Sequence, residues 1–372
     1  MNILFICSYS FGSEGSQGYY FGISYISAVL KSHGYQTDLL FLTRATKTRI
    51  IDQHIVNFQP QIICFTAVTL EYFFISKIAK YIKNKFPDIF LIIGGLHASL
   101  NPKQVIRGFF DAVCIGEGEY PTLELVQHLE QGKKPNQIQN LWIKGKIVEK
   151  KPIREFIQNL DDLPFPDREM WQKWIKPSKK SLILIGRGCP FQCPYCCNHA
   201  LRKLASGKYV RLRSVENILL EVQDVVTRFP ETELIHFEIE TLGINREFDL
   251  KLCSELEKFS NQRLKPLNFS VNLRITPNQD YEPLIYALKK ANFNLIMIGV
   301  ESGSERIRKS ILKRYYSNTD IIKAIRLAKK HGLAVRTYNM IGFPGETVAD
   351  FKQTIQVNRA CLPDQIPLYI FF

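Results

Sequence analysis

Three cysteines lie within eight residues in the stretch Cys189-Pro190-Phe191-Gln192-Cys193-Pro194-Tyr195-Cys196. Its three thiols lie on a loop that follows an apolar run and the flexible Gly186-Arg187-Gly188. Three thiolates can hold one side of a [4Fe–4S] cluster and leave the fourth iron without a protein ligand. An open iron can bind the methionine end of S-adenosylmethionine (SAM) and pass an electron into its sulfonium. We therefore interpret Cys189, Cys193 and Cys196 as cluster ligands.

A zinc site is the alternative interpretation of these cysteines, because Cys197 or His199 could supply a fourth ligand. The chain lacks the second ligand pair that a zinc finger carries. The stretch also follows a predicted barrel strand, where TIM-like folds place catalysis. Both points favour the cluster and leave Cys197 outside the ligand set.

The residues around and after the cysteines alternate strand-like with helical patterns. Apolar, strand-like runs occupy residues 182–185, 234–239, 268–273, 295–300, 334–341 and 368–371. Helical patterns separate them, at residues 215–228, 247–259, 281–291 and 320–331. Six strands alternating with helices predict a partial (β/α)6 barrel of the TIM type over residues 179–372.

The first 135 residues also alternate short apolar runs with amphipathic stretches. This pattern predicts an α/β fold with a Rossmann-like, doubly wound parallel sheet over residues 1–135. Ligands bind such sheets at the carboxyl ends of the strands. Four segments fall at these ends and are expected to form one crevice: residues 8–18, 66–69, 94–99 and 116–120.

Residues 136–178 are basic and irregular, and we predict a linker there. The stretch Leu163-Pro164-Phe165-Pro166-Asp167 favours extended backbone. Many lysines gather around this segment in a chain of formal net charge +14. They form a solvated surface, or they contact an anionic substrate or a membrane surface. Aromatic residues do not interleave with them, so neither DNA nor RNA is expected as a partner.

The nine cysteines and the absence of long apolar runs limit the cellular compartments in which we expect the protein. No run approaches the roughly 20 apolar residues that a transmembrane helix needs. The first residues read as a strand rather than as a signal peptide. Thiols in apolar runs indicate a reducing compartment, so we expect a cytoplasmic protein.

The carboxyl-terminal half resembles the radical SAM superfamily, whose CX3CX(aromatic)C motif is matched by Cys189, Cys193, Tyr195 and Cys196. The resemblance implies a SAM site at the ends of the following strands. A carboxylate there can accept from an α-amino group, and an arginine can bind a carboxylate with two hydrogen bonds. The residues in these positions are Glu238, Glu240, Arg274, Glu301, Ser302 and Gly342.

The amino-terminal half resembles the cobalamin (B12)-binding domain of one large radical SAM subgroup. Its matching pieces are Gly94-Gly95-Leu96-His97-Ala98-Ser99 and the segment 111–119. The resemblance implies that cobalamin is contacted by Thr66, Thr69, Gly94, Gly95, His97, Ser99, Gly116, Glu117, Gly118 and Glu119. The Asp-x-His-x-x-Gly signature is absent, so cobalt is expected to lack a histidine ligand from that loop.

Together the two resemblances imply a cobalamin-dependent radical SAM enzyme. We expect a methyltransferase acting on an unactivated carbon of a small molecule, with an external electron donor of the flavodoxin or ferredoxin type. Ring-forming or ring-rearranging oxidation remains open within the same architecture. So does a methylthiotransferase, in which Cys7, Cys64 and Cys114 would hold a second cluster. A truncated, non-catalytic module that binds cobalamin or SAM is the remaining alternative.

Overall fold

The computed structural model describes residues 1–8, 19–175 and 178–371, without the side chains of Glu240 and Thr241. The chain divides into two units. Unit 1 comprises Met1–Pro177 with Ala200–Lys208, and unit 2 comprises Ser178–His199 with Tyr209–Phe372. None of the helices in the described ranges has the length and apolar character that crossing a bilayer requires.

Unit 1 contains a central sheet with helices packed against it. Within the described residues its strands are β1 (Asn2–Ser8), β2 (Gln36–Leu42), β3 (Ile62–Thr66), β4 (Phe90–Gly94), β5 (Ala112–Cys114), β6 (Leu141–Ile143) and β7 (Glu149–Lys150). Its helices there are α1 (Phe21–Ser32), α2 (Thr48–Phe58), α3 (Thr69–Lys85), α4 (Gly95–Leu100), α5 (Pro102–Val105) and α6 (Glu119–Glu130).

The strand order of unit 1 is β2-β1-β3-β4-β5-β6-β7. The first five strands are parallel, and their order is the one typical of flavodoxin-like, doubly wound sheets. Leu4 and Phe5, which point to opposite faces of β1, are both buried, because a central parallel strand is covered on both faces. The structure confirms the predicted α/β fold with an open parallel sheet.

The segment predicted as a linker, residues 136–178, contributes to unit 1. It supplies β6 and β7, which extend the sheet with antiparallel pairing. Its Trp171 is 2% exposed and donates from Nε1 to Ser24 Oγ of α1 over 2.8 Å. Asp167 accepts from Ser27 Oγ of the same helix over 2.6 Å. These contacts fix the second half of the segment against α1.

Unit 2 contains a curled sheet and its covering helices. The described strands are β8 (Lys180–Leu184), β9 (Gly186–Arg187), β10 (Arg211–Leu212), β11 (Leu234–Leu242), β12 (Asn268–Leu273), β13 (Phe293–Glu301), β14 (Ala334–Ile341) and β15 (Leu368–Ile370). The helices are α7 (Asn198–Leu201), whose last two residues belong to unit 1, α8 (Val215–Arg228), α9 (Arg246–Asn261), α10 (Glu282–Lys290), α11 (Glu305–Ser310), α12 (Asn318–Lys330) and α13 (Val348–Cys361).

The main sheet of unit 2 has the order β15-β14-β13-β12-β11-β8, and all its neighbouring strands are parallel. This is the predicted partial barrel, with six strands in the described part of the chain. Alternate residues of each strand face the helices, where the rings of Phe237, Phe269 and Phe293 pack with centroids 5.4 and 5.5 Å apart along the series. The remaining residues face the inside of the barrel.

The turn from β13 to α11 depends on a glycine that touches backbone. A Cβ on Gly303 would overlap the carbonyl oxygen of Gln353 and the Cα of Thr354 in α13. The Gly303 N–H also donates to Thr354 Oγ1 over 2.8 Å. The turn therefore closes against α13 with no room for a side chain.

Gly303→Ala is expected to lower the free energy of unfolding by about 1–3 kcal/mol, because backbone atoms cannot move aside as a side chain can. Gly22→Ala in α1 is the matched control, since nothing lies within 4 Å of its Cβ position. Denaturant unfolding measures both. Equal stability of the Gly303→Ala protein and the parent would contradict the packing described here.

Asp249 of α9 closes the turn after β11. Its Oδ2 accepts from the N–H of Gly243 over 2.9 Å. Burial raises the pKa of the Asp249 carboxyl to about 7, although the Gly243 hydrogen bond acts in the opposite direction. The folded state therefore holds the Asp249 proton more tightly than the unfolded state does.

This raised pKa predicts that the stability contribution of Asp249 is full below the ordinary aspartate pKa and is lost as the pH rises through about 7. Asp249→Asn keeps an oxygen acceptor for Gly243 and removes the titration. Relative to the parent, the variant should gain stability as the pH rises from about 4 to about 8. Urea unfolding across that range tests this, and a constant difference would refute it.

Candidate active site

The three predicted cluster cysteines lie on the loop that follows β9. Gly188 directs the chain into this loop with φ +87°, and a Cβ there would overlap the carbonyl oxygen of Tyr209. Cys189 and Cys193 are buried, whereas Cys196 is half-buried. The N–H of Cys196 donates to the carbonyl oxygen of Cys193 over 3.0 Å. Glycine and this turn together shape the loop that carries the thiols.

Arg274, at the end of β12, contacts the loop directly. Its two terminal nitrogens each lie 3.5 Å from Cys193 Sγ. Its guanidinium carbon lies 3.6 Å from the centroid of the Phe191 ring, which is a cation–π arrangement. The buried Arg274 Nε has no hydrogen-bond partner in the described structure. The guanidinium thus supplies positive charge to a thiol and keeps one donor available.

Cys196 lies in surroundings that favour the thiolate. A hydrogen bond from Cys197 lowers the pKa of Cys196 to about 5, outweighing burial, with help from Asn198 and His199. Asn198 Nδ2 lies 3.5 Å from Cys196 Sγ. His199 Nδ1 donates to the Cys196 carbonyl oxygen over 2.5 Å. Iron–sulfur clusters bind thiolates, so the donor chemistry of this loop fits the cluster.

No three His, Cys, Asp or Glu side chains in the described ranges gather around the position of a single metal ion. In a [4Fe–4S] cluster each thiolate binds a different iron. Cluster ligands therefore need not converge on one point. The assignment of the cluster rests on the thiol set and its surroundings.

Apolar side chains cover the loop on one side. Tyr195 packs against the buried group Ile307, Leu312 and Phe343, with the Tyr195 and Phe343 rings 6.5 Å apart. Burial raises the pKa of the Tyr195 hydroxyl well above its ordinary value. This side of the loop therefore excludes water.

A cavity of about 460 Å³ lies inside the barrel of unit 2. Three of the predicted SAM contacts line it: Glu238, Arg274 and Glu301. Glu238 is 37% exposed in its side chain, and its carboxylate can accept hydrogen bonds from an amino group. The side chain of Glu240 lies outside the described residues. Strand ends thus bring one arginine and two carboxylates to the cavity next to the cysteine loop.

Two other predicted SAM contacts have roles within the fold. Ser302 is fully buried, and its Oγ accepts from the N–H of Ser304 over 3.2 Å. The N–H of Gly342 donates to Glu346 Oε2 over 2.6 Å. Both remain predictions as SAM contacts.

Sequence reasoning missed the arginine that holds Glu301. Arg314 Nη1 donates to Glu301 Oε1, to the Gly299 carbonyl oxygen and to the Tyr316 hydroxyl, each over 2.8 Å. Glu301 adopts φ +62°, an uncommon conformation for a residue with a side chain. The hydrogen bond from the buried Arg314 compensates for this uncommon conformation, because it holds the Glu301 carboxylate at the cavity wall.

The lining also includes three ionisable residues that no motif singled out, namely the cations Lys180 and Arg336 and the histidine His236. Each stands among apolar residues of a strand, at a position that faces the inside of the barrel. Strand alternation could have indicated them, because a charged side chain within an apolar barrel strand must face the lumen or a partner.

In unit 1 the predicted cobalamin contacts of β3 and β4 come together. Gly95 has φ +88°, and a Cβ there would overlap Thr66 Oγ1. His97 Nδ1 lies 3.1 Å from Thr69 Oγ1, and the His97 ring stacks on Tyr72 with centroids 4.1 Å apart. Burial lowers the pKa of His97, so its ring is neutral at pH 7.

The buried His97 Nε2 has no hydrogen-bond partner among the described residues. An unpaired buried nitrogen is costly unless a ligand or water satisfies it. A flat ligand at these strand ends would meet a glycine pair, two threonine hydroxyls and this nitrogen. The residues present therefore fit a corrin with polar side arms.

The remaining predicted contacts shape the β5–α6 turn. Ser99 Oγ accepts from the N–H of Gly116 over 3.0 Å, and Glu117 Oε2 accepts from the N–H of Ile157 over 2.7 Å. A Cβ on Gly118 would lie 2.9 Å from Ile26 Cδ1. Glu119 is 2% exposed. Their roles toward cobalamin stay predictions, and residues 9–18 of the predicted crevice lie outside the described residues.

A loop of three thiols at the end of a parallel half-barrel, beside a polar cavity, defines an enzyme of the radical SAM class. Residues 183–357 match the Radical SAM superfamily, and residues 12–126 match the B12 binding domain. The chain belongs to the radical SAM enzymes that carry a cobalamin-binding domain. The cofactors of this family are a [4Fe–4S] cluster, SAM and cobalamin.

Individual proteins support the same family. The chain is 29% identical to an uncharacterized methyltransferase of Pyrococcus horikoshii, over 92% of this chain and 73% of that protein. It is 26% identical to the anaerobic magnesium-protoporphyrin IX monomethyl ester cyclase of Rubrivivax gelatinosus, over 92% of this chain and 62% of the cyclase.

Among solved structures, the radical SAM methyltransferase TsrM from Kitasatospora setae superposes with a TM-score of 0.78 at 15% identity, over 98% of this chain and 72% of that one. At this identity the likeness establishes the fold.

Replacing Cys189, Cys193 and Cys196 together by alanine is expected to abolish cluster assembly, because the loop then keeps Cys197 alone and one thiol cannot hold the cluster. The parent should hold about four irons per chain after anaerobic reconstitution. Cys253→Ala is the control, since Cys253 is a 3%-exposed core residue of α9. Iron and sulfide analysis measures all three proteins. Full iron content in the triple variant would contradict the ligand assignment.

Proposed function

We propose that this protein is a cobalamin-dependent radical SAM methyltransferase that methylates an unactivated carbon of a small molecule. The observation that carries the proposal is the double position of Arg274, which contacts Cys193 Sγ and lines the cavity. One residue thus joins the proposed cluster ligands to the space where SAM and a substrate would bind. When bound, the cluster and SAM supply a carbon-centred radical, and cobalamin supplies the methyl group.

The residues of the chain have separable tasks in this proposal. Cys189, Cys193 and Cys196 hold the cluster, and Arg274 stabilises negative charge on Cys193 through its hydrogen bonds. Glu238 accepts hydrogen bonds from the amino group of SAM. The apolar group around Tyr195 keeps water away from the reacting atoms. In unit 1 the surroundings of Gly95 and His97 hold cobalamin.

Ring-forming oxidation is the second candidate, and its support is the similarity to the Rubrivivax cyclase over 92% of this chain. A methylthiotransferase has less support. Cys7, Cys64 and Cys114 are 0%, 8% and 4% exposed in β1, β3 and β5. Burial raises the pKa of each of these thiols, that of Cys114 to about 12. Protonated, buried thiols are poor cluster ligands.

Iron content separates a methylthiotransferase from the two single-cluster candidates, the methyltransferase and the ring-forming enzyme. About four irons per chain support one cluster, whereas about eight support the second cluster of a methylthiotransferase. We also propose that a flavodoxin or ferredoxin supplies electrons and that the protein works in the cytoplasm, a location supported by its nine cysteines.

Incubation of the reconstituted protein with SAM, cobalamin and a strong reductant should yield both 5′-deoxyadenosine and S-adenosylhomocysteine. Arg274→Met should retain iron but lower SAM cleavage about 10- to 100-fold, the usual cost of losing a residue that supports a metal ligand. Arg246→Met at the exposed start of α9 is the control. Formation of neither product by the parent would refute the proposal and favour a non-catalytic cobalamin- or SAM-binding module.

A further inference from the structure

The barrel cavity has a polar floor, formed by the cations Lys180 and Arg336 and by His236. Lys180 is the first residue of β8, and His236 and Arg336 are the third residues of β11 and β14. The amino-terminal ends of parallel barrel strands meet at one end of the barrel. The cysteine loop follows the carboxyl end of β8, so the floor lies at the opposite end of the cavity.

The two cations of the floor form no ion pair with a carboxylate of the described residues. No carboxylate oxygen of the described residues lies within 4.0 Å of Lys180 Nζ or of the Arg336 guanidinium, since neither residue forms an ion pair there. Arg336 donates from Nε to Gln365 Oε1 over 2.5 Å, and its Nη1 lies 4.0 Å from Met297 Sδ. Both partners are neutral.

The surroundings of the floor add little negative charge. Burial, followed by Lys180 and Arg336, lowers the pKa of His236 to about 3, so this ring is neutral at pH 7. Arg314 binds Glu301, one of the two carboxylates among the described lining residues. Glu238 is the other, against the four cations Lys180, Arg274, Arg314 and Arg336. The described lining therefore carries an excess of positive charge.

Burial also lowers the pKa of Lys180, and Arg336 lowers it further, although Glu238 raises it. Two half-buried cations that repel each other are costly unless an anion joins them. The fold does not require a charged side chain at Lys180 or Arg336, because an apolar side chain would fill the same space in the barrel interior. The pair has the features of a site built for an anion.

Apolar side chains form part of the wall between the floor and the cysteine loop. Leu184, Leu273 and Met297 line the cavity, together with Tyr338, whose hydroxyl lies 3.0 Å from Met297 Sδ. The volume of about 460 Å³ suits a small organic ligand. A molecule with one anionic end and an apolar body matches this distribution.

We propose that Lys180 and Arg336 bind an anionic oxygen group, a carboxylate or a phosphate, of the substrate, whose apolar body lies between this floor and the cysteine loop. Arginine and lysine are the side chains that bind such groups with charge-assisted hydrogen bonds. The name substrate rests on the proposed function, whereas the anion site itself rests on the cavity alone.

Binding of three naphthalene probes to the cluster-loaded full chain, with SAM at saturation, tests this site. 1-Naphthyl phosphate and 1-naphthoate carry the two candidate anions, and 1-naphthol is their neutral counterpart. Titration calorimetry should show at least one anion binding about tenfold more tightly than 1-naphthol or better, and the preferred anion identifies the group. Lys180→Met and Arg336→Met should each remove about tenfold of that affinity and leave 1-naphthol unaffected.

Two further variants make the result specific. Lys180→Arg keeps the charge and should retain anion binding. Lys179→Met removes a neighbouring lysine that is 73% exposed and paired with Glu233 over 2.7 Å, and it should change nothing. Far-ultraviolet circular dichroism checks that each variant is folded.

Equal affinity for all three probes, or equal losses in Lys179→Met and Lys180→Met, would overturn the inference. So would competition between SAM and the anions, because SAM would then occupy the floor itself. SAM cleavage by the same samples keeps the two proposals apart. Cleavage without charge-dependent binding leaves the methyltransferase proposal intact, and charge-dependent binding without cleavage leaves the anion site intact.

Discussion

The contact between Arg274 and Cys193 is the interaction on which the rest of the site depends. It joins the end of β12 to the loop after β9, with two nitrogens 3.5 Å from one sulfur. A partial barrel provides this meeting because its strand ends converge around one mouth. The Phe191 ring, whose centroid lies 3.6 Å from the guanidinium carbon, packs against the same side chain. Arg274 also lines the cavity.

Several residues of unit 2 with uncommon backbone conformation or close backbone packing lie at the barrel mouth where the cysteine loop and Arg274 meet. Glu301 has φ +62° and Gly188 has φ +87°, while Gly303 touches the backbone of α13. Arg314 holds the Glu301 carboxylate with a hydrogen bond. Conformations of this kind persist where the surrounding structure overdetermines them, and they cluster at functional sites. Residues 234–238 of β11 pair with β8 without a register shift, and there alternation alone assigns Phe237 to the helices and His236 to the cavity.

The sequence predicted the parts of the molecule that depend on local pattern. The cysteine spacing and the alternation of apolar runs with helices lead to the six-stranded partial barrel and to the parallel sheet of unit 1. The sequence did not predict which distant segments pair as strands. The short strands β6 and β7 carry no pattern that separates them from a basic linker, and they are recognised only by their pairing with β5 and with each other. Lys180 and Arg336 line the same cavity only because of the strand register. Arg314 contacts Glu301 across a helix and a turn.

In the proposed function, the cysteine loop and the Arg274 end of the cavity together present an open iron to SAM. Electron paramagnetic resonance of the reduced, cluster-loaded protein tests it most directly, with and without SAM labelled with nitrogen-15 in its amino group. Adding SAM should change the cluster signal and produce a hyperfine coupling to the labelled nitrogen. An unchanged signal and no coupling to the label would contradict it.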